Sequence, residues 1–204
     1  MSFELEIYVK ENGEVPFEGF MEDLPAKLRA KVLRDIDLLE RFGNELREPY
    51  SKALGNDIFE LRTIMGNDST RTLYFFFVDR KIVITHGFVK KQNKTPRREI
   101  ERAMEYRRIG SGGAVMKYSE IKDRYLADPD TLKEYRDLEP EYQLIVAIIE
   151  SRKEKNISQQ ELAELTGINR ADISRIENGN ANPSLRTIKR VAEGLGKKVE
   201  IRFV

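Results

Sequence analysis

Residues 110–114 read Gly-Ser-Gly-Gly-Ala, the only Gly/Ser cluster in the chain, and a flexible stretch of this kind divides 204 residues into two separately folding parts. Directly behind it, Met116-Lys117-Tyr118 reads like the start of a second open reading frame. The expected division is a first domain over 1–109, a linker over 110–115, a connecting segment over 116–139 and a second domain over 140–204. Hydrophobic residues make up 40% of the chain and charged residues 35%, enough apolar material for two small cores under a heavily charged surface. There is no cysteine and one histidine, His86. That excludes disulfides, thiolate catalysis, Cys-type zinc sites and any centre that needs two imidazoles, so neither a metal nor a cofactor is expected. No apolar run approaches the roughly 20 residues of a membrane span. Glu4, Glu6, Glu11, Glu14 and Glu18 also spoil any leader-like order at the start, so the expected setting is cytoplasmic.

In the first part, Phe3, Leu5, Ile7 and Val9 alternate with Glu4, Glu6 and Tyr8, the pattern of a half-buried strand. Leu24, Leu28, Val32, Ile36 and Leu39 recur at helical spacing and stop near Gly43, a C-cap residue. Three strand-like runs follow, Ile58–Met65, Thr70–Val78 and Lys81–Lys90. Gly66-Asn67-Asp68 and Asp79-Arg80 supply the turns of an antiparallel meander. Thr95 and Pro96 open a last helix that runs to about Arg108. The first part is therefore expected to be a small α+β domain with an antiparallel sheet.

The second part reads as helical. Leu144, Ala147, Ile148 and Ser151 mark one helix, and Ser158 with Glu161 forms a capping box for a second. Gly167 ends that helix, Asn169 caps a third, and Pro183-Ser184 opens a fourth that Gly194 and Gly196 close. Val199, Ile201 and Phe203 alternate with charged residues, so a C-terminal strand is expected, exposed and able to pair across a two-fold axis. Residues 157–182 have the helix, Gly turn and helix spacing of a helix-turn-helix, with Leu162, Ala163, Ile168, Ile173 and Ile176 facing one core. This stretch resembles the Xre-type helix-turn-helix family of phage repressors and antitoxins. The resemblance implies that the third helix enters the major groove of operator DNA, with Asn169, Arg170, Ala171, Asp172, Ser174 and Arg175 toward base edges. It also implies phosphate contacts from Gln159, Asn178 and Asn180, and a homodimer. Asp172 and Arg175 can equally form a surface ion pair.

Charge is unevenly spread although the net charge is only +1. Residues 80–108 hold ten basic residues against three acids, and residues 116–142 hold eight acids against five bases. A basic strip followed by an acidic segment suggests an anion-binding surface and a tethered mimic able to cover it. The runs Ile58-Phe59-Glu60-Leu61-Arg62, Arg71-Thr72-Leu73-Tyr74-Phe75-Phe76 and GF-x-KK-x-x-x-TP-x-x-EI-x-x-A over residues 87–103 resemble the RelE/ParE superfamily of toxins, nearest its HigB branch. The resemblance implies ribosome-dependent cleavage of messenger RNA without a metal, by attack of a ribose 2′-OH on the adjacent phosphate. That chemistry needs a proton acceptor, cations for the pentavalent phosphate and an acid for the leaving 5′-oxygen. Arg62 and Arg71 are candidates for charge stabilisation, Lys90 and Lys91 for phosphate binding or proton transfer, His86 as acid or base, and Tyr74 against a base. His86 and Tyr74 sit among apolar neighbours and can equally be core residues, and Arg62 can form a surface pair with Glu60.

Toxin first and Xre-type antitoxin second is the gene order of HigBA modules. The combined expectation is a type II toxin–antitoxin module in one chain: an endoribonuclease held off by an antitoxin that also represses its own operator. Its partners are operator DNA, the ribosome and mRNA, with the toxin–antitoxin contact made in cis or between chains. Within residues 116–139, Tyr118, Ile121, Tyr125, Leu126, Leu132, Tyr135 and Leu138 are expected to anchor the toxin, and the acids between them to pair its basic site. Two alternatives stand beside this: a DNA-binding regulator whose first domain is catalytically inactive and binds a partner, and a ParE-type gyrase poison with its antitoxin.

Overall fold

A computed structural model describes residues 3–91, 94–110 and 114–202, which fall into two compact units, Met1–Leu138 and Glu139–Val204. The first unit is built on a six-stranded mixed sheet of β1 (Glu4–Tyr8), β2 (Ser51–Gly55), β3 (Ile58–Met65), β4 (Asp68–Phe77), β5 (Lys81–Val89) and β6 (Val115–Lys117), in the order β2-β3-β4-β5-β1-β6. β3, β4 and β5 form the expected antiparallel meander, while β1 lies parallel to β5, with Leu5 opposite Ile82. Parallel pairing needs a long crossover, and α1 (Pro16–Glu22) and α2 (Ala26–Phe42) lie within the connection that leaves β1. Both pack on one face of the sheet. The opposite face takes α3 (Arg97–Gly110) over a core of Tyr8, Ile58, Leu73, Phe75, Val83, Ala103 and Tyr106.

Two local irregularities decide where strands turn and which face their side chains take. β2 is joined to β3 through Asn56 and Asp57, both at positive φ (52° and 56°), the backbone of a type I′ hairpin turn. In β5, Leu73 pairs with His86 but Tyr74 pairs with Ile84, so Thr85 is an extra, bulged residue. Regular alternation from Val83 would send His86 to the α1/α2 face. The bulge turns it to the α3 face.

The chain after α3 stays with the first unit. Ser111–Gly113, most of the expected linker, lies outside the described residues. The Ala114 carbonyl accepts from the Val9 N–H at 3.0 Å, and Val115–Lys117 adds an antiparallel edge strand beside β1. α4 (Tyr118–Leu126) and α5 (Pro129–Asp137) then pack on α2, with Ile121 and Thr131 fully buried.

The second unit holds α6 (Glu139–Glu154), α7 (Gln159–Thr166), α8 (Arg170–Glu177) and α9 (Leu185–Gly194). Ser158 and Glu161 complete the capping box, Gly167 takes the left-handed C-cap (φ 64°), and Asn169 and Ser184 cap α8 and α9. Leu162, Ala163, Ile173 and Ile176 share the core with Ile148, Val191 and Leu195. α7 and α9 approach closely at Gly194, where an added Cβ would stand 2.5 Å from Thr166 Cγ2. The expected C-terminal strand is not formed among the described residues: Lys197–Arg202 is irregular, and Ile201 is 56% exposed. A strand needs a neighbouring edge, and this all-helical unit offers none. Phe203 lies outside the described residues.

Candidate functional site

Arg62 and Arg71 face each other directly across β3 and β4 on the α3 face of the sheet. Two cations in that register repel unless a counter-charge lies between them, and Glu60 supplies it from the same face of β3. Its carboxylate is buried and accepts from Arg62 Nε at 2.8 Å, with Arg71 Nε at 3.6 Å. Its other oxygen accepts from the Thr95 hydroxyl, which ties the entry to α3 onto the sheet. Arg71 Nη1 donates to Ser69 Oγ and to the Thr70 carbonyl, both at 2.7 Å. Burial lowers the Arg71 guanidinium from its ordinary value. A guanidinium fixed on three sides is a preorganised cation that needs no reordering when charge develops beside it. The sequence marked Glu60 only as a surface partner of Arg62. Its depth follows from Thr95 and α3 closing over it, which spacing along β3 does not reveal.

His86 is buried on the same face and both its ring nitrogens are occupied. Nδ1 lies 3.1 Å from Thr85 Oγ1 and Nε2 lies 3.2 Å from Glu99 Oε2. Glu99 also accepts from Arg98 Nε (2.9 Å) and Arg102 Nη1 (3.2 Å), and the Thr85 hydroxyl donates to the Leu73 carbonyl at 3.0 Å. Burial, with Arg102 pushing the same way and Glu99 opposing, lowers the imidazole pKa to about 4. The ring, held between Thr85 and Glu99, braces Glu99 against Arg98 and Arg102. Because the folded pKa lies below the unfolded 6.5, the unfolded chain takes up its proton first as pH falls. The His86 contribution to stability is therefore complete above pH 6.5 and is lost as pH falls toward 4. As His86 is the only histidine, a single imidazole NMR resonance reads this without assignment. The expected midpoint is near 4, and a midpoint near 6.5 contradicts the locked ring.

The other sequence candidates separate. Tyr74 points to the α1/α2 face, away from both arginines. It is fully buried, stacks on Phe59, bonds Ser51 Oγ at 2.6 Å, and burial pushes its pKa up to about 12. Its expected place beside the cations is thus not observed, because a one-residue offset from Leu73 reverses its face. Lys90 is half-buried, follows Phe88 on the arginine face and donates its N–H to the Ser69 carbonyl at 2.8 Å. Lys91 is exposed and turns to a cleft lined by Val15, Phe20 and Phe88. Among the described residues no group of three or more His, Asp or Glu converges as a metal site would.

The connecting segment does not cover this face. Among the described residues, Arg62 and Arg71 meet Glu48, Glu60, Ser69 and Thr70, and no acid of residues 116–138 pairs with either arginine. α4 and α5 instead hold α2 through contacts of mixed polarity. Asp37 accepts from Lys122 Nζ (2.7 Å), from the Tyr118 hydroxyl (3.2 Å) and from the Tyr135 hydroxyl. Arg34 donates twice to the Tyr135 carbonyl (3.0 and 2.7 Å) with its guanidinium 3.5 Å over the Tyr135 ring. Arg29 reaches Thr131 Oγ1 at 3.1 Å and Asp128 at 3.4 Å. Within one chain the expected charge covering is not formed, because α2, the surface the segment finds, lies on the other side of the sheet from the basic strip.

In the second unit, α8 shows Arg170, Ala171 and Arg175 to solvent, with Ser174 partly exposed. Asp172 lies 3.8 Å from Arg175 and caps locally with Asn169 through a 2.6 Å bond. Asn169 is spent on that cap, since its Oδ1 accepts from the Asp172 N–H at 2.8 Å. Gln159 donates to the buried Glu177 (2.6 Å), which also receives Arg152 (2.6 and 3.1 Å) and so locks α6, α7 and α8 together. Asn178 and Asn180 follow α8 at its C-terminal turn, partly exposed.

Known proteins match in two blocks. The family described as phage-derived protein Gp49-like matches residues 19–108, and a helix-turn-helix family matches residues 148–201. A protein named probable endoribonuclease HigB1 from Mycobacterium tuberculosis is 31% identical over 99 residues, which cover 48% of this chain and 76% of that protein. An uncharacterized HTH-type transcriptional regulator from Haemophilus influenzae is 38% identical over 69 residues, 34% of this chain and 70% of that protein. A solved chain of a toxin–antitoxin module from Streptococcus pneumoniae is 26% identical and covers 44% of this chain and 94% of that one, with a TM-score of 0.33 that bears no weight on the fold.

Proposed function

The chain belongs to the Gp49-like, HigB-type toxin family through its first part and to the Xre-type helix-turn-helix family through its second, and from that premise we propose that it is a toxin–antitoxin module whose toxin cuts messenger RNA on the ribosome. The observation that carries the reading is the opposed pair Arg62 and Arg71, held by the buried Glu60 on a face that the connecting segment leaves open. In this reading the 2′-oxygen attacks the neighbouring phosphorus, the P–O5′ bond breaks, and a 2′,3′-cyclic phosphate remains. The two guanidiniums stabilise the doubly charged phosphorane. Glu60 is the carboxylate within reach to accept the 2′ proton, and Lys90 gives a proton to the leaving 5′-oxygen. His86 holds Glu99 and Arg102 in position, and Tyr74 plays no part at the phosphate.

Residues 114–138 are the antitoxin's grip on the toxin. Because they bind α2 and the β1 edge, they silence the toxin by blocking its docking to the ribosome and leave the arginines uncovered. Primer extension on mRNA from a translation extract tests this reading. Supplied with chain cut between residues 110 and 114 and stripped of its second part, cleavage within translated codons is expected, and none when ribosomes are withheld. Cleavage of free RNA at the same rate overturns the ribosome dependence.

The second part binds operator DNA as a homodimer and represses its own transcription, in the cytoplasm. No helix among the described residues is long and apolar enough to cross a membrane. Arg170 and Arg175 read bases, each worth roughly 1–3 kcal/mol if bidentate to guanine. Arg170→Ala is therefore expected to weaken operator binding about tenfold or more in a mobility-shift titration and to relax selectivity at one position. A uniform loss on all sequences assigns Arg170 to phosphate instead. One observation favours the regulator with an inactive first domain: Arg71 Nη1 already donates to Ser69 and Thr70, and Glu60 lies 3.6 Å from its Nε. The same extract decides between them, since an inactive domain leaves mRNA intact.

A further inference from the structure

On the α1/α2 side of the sheet, α2 stops at Phe42 and leaves the β2–β3–β4 end uncovered as a groove of about 570 Å³. Its floor is aromatic. Phe59 and Tyr74 stack with ring centroids 5.6 Å apart at 23°, and Phe76 meets them edge-on at 5.1 and 5.7 Å. The bond from Tyr74 to Ser51 fixes the central ring, while Phe59 and Phe76 are only partly buried and present apolar surface to the groove. The rim is charged: Arg47, Lys52 and Glu48 are all exposed. Lys52 pairs in register with Glu60 and so shares the arginine face, and Glu48 Oε1 lies 4.0 Å from Lys52 Nζ and 3.9 Å from Arg62 Nη1. The groove thus opens onto the β2 edge, one side chain away from the arginine pair.

We propose that this groove holds one unpaired base of single-stranded RNA, the nucleotide next to the phosphate bound at Arg62 and Arg71. The inference rests on the ribonuclease reading for the identity of that phosphate, and on this groove for the base. A flat aromatic floor with cations at its rim matches the chemistry of a nucleotide, a π-face flanked by anionic phosphates. The arrangement divides that ligand across the sheet edge: the base stacks on Phe59 and Phe76, its phosphates run past Lys52 and Arg47, and the next phosphate reaches Arg62. The groove volume lies within the range of small-ligand sites and exceeds the size of a single base. Stacking on aromatic rings tolerates any base, so the groove favours purines by ring area and does not read a fixed sequence.

The test uses the full chain and a 2′-O-methylated ten-nucleotide single strand carrying 2-aminopurine, which cannot be cleaved and loses fluorescence on stacking. Saturable quenching is expected. Phe59→Leu and Phe76→Leu, which keep an apolar floor, are expected to abolish the quenching and weaken binding roughly tenfold or more. Lys52→Glu is expected to weaken binding and to make its loss with salt shallower, because one phosphate contact is removed. Far-UV circular dichroism verifies that the leucine variants are folded. Unchanged quenching in both leucine variants overturns the proposal. So does a dimer in sedimentation that these variants dissociate, because the groove then holds a second copy. Quenching that depends on Phe59 and Phe76 in a chain that never cuts mRNA leaves the groove standing and removes the nuclease. Undiminished cleavage and site choice in Phe76→Leu does the reverse.

Discussion

Arg71→Ala is expected to lower ribosome-dependent mRNA cleavage by about 10²–10³-fold, the usual cost of removing one preorganised donor from a developing oxyanion. Arg71 is buried, aimed by Ser69 and Thr70, and set opposite Arg62 with Glu60 against both. Lysine does not restore it, because one ammonium cannot hold three fixed partners and still face a phosphate. Arg62→Ala is expected to be nearly as damaging, and the double variant only slightly worse than either, since the two guanidiniums act as a unit. Single-turnover cleavage rates of the released toxin check this, with thermal unfolding to show that the variants are folded. A loss below about tenfold for Arg71→Ala puts the transition-state charge elsewhere.

The second large effect lies on α2. Asp37 is buried and is the common acceptor for Tyr118, Lys122 and Tyr135. Asp37→Leu strands the Lys122 ammonium and the Tyr135 hydroxyl, while Tyr118 keeps the Leu33 carbonyl at 3.1 Å; with Lys122 23% exposed, the cost is about 3 kcal/mol, the lower end for breaking a buried pair. At roughly 1.4 kcal/mol per factor of ten, opening of residues 114–138 should rise by about two orders of magnitude. Limited proteolysis within that segment is expected to accelerate accordingly, and mRNA cleavage to appear in the uncut chain. Asp37→Asn keeps an acceptor and is expected to fall between. By contrast, charge reversal at the segment's own Asp130 or Glu134 is expected to change little, because neither pairs with the arginine face.

Much of the architecture was legible in the residues. Alternation in Phe3–Val9, the helical spacing from Leu24 to Leu39, the capping box at Ser158 and the left-handed Gly167 each encode a local structure that needs no distant partner. Features set by long-range pairing were not. β2 has a short, weakly β-favouring run, Ser-Lys-Ala-Leu-Gly, and exists because Asn56-Asp57 folds it onto β3. The C-terminal alternation at Val199 and Ile201 promised a strand, but no edge lies beside it. At the candidate site, the opposed arginines followed from a meander whose turns were readable. The bulge at Thr85, which re-aims His86, and the closure of Thr95 over Glu60 depend on register and docking that one strand's pattern does not contain. The acidic segment misled for a related reason. Its net charge matched the basic strip, while its actual contacts come from three tyrosines, Lys122 and the basic residues of α2.

The central claim is that one half of this chain is a nuclease silenced by the other. The measurement that tests it most directly is mRNA cleavage in a translation extract by residues 1–109, compared with the intact chain and with residues 1–109 carrying Arg71→Ala. Cleavage by the folded fragment alone, with the other two silent, is the predicted result. A folded fragment that leaves translated mRNA intact beside active ribosomes contradicts it and leaves a DNA-binding regulator with an inert partner domain.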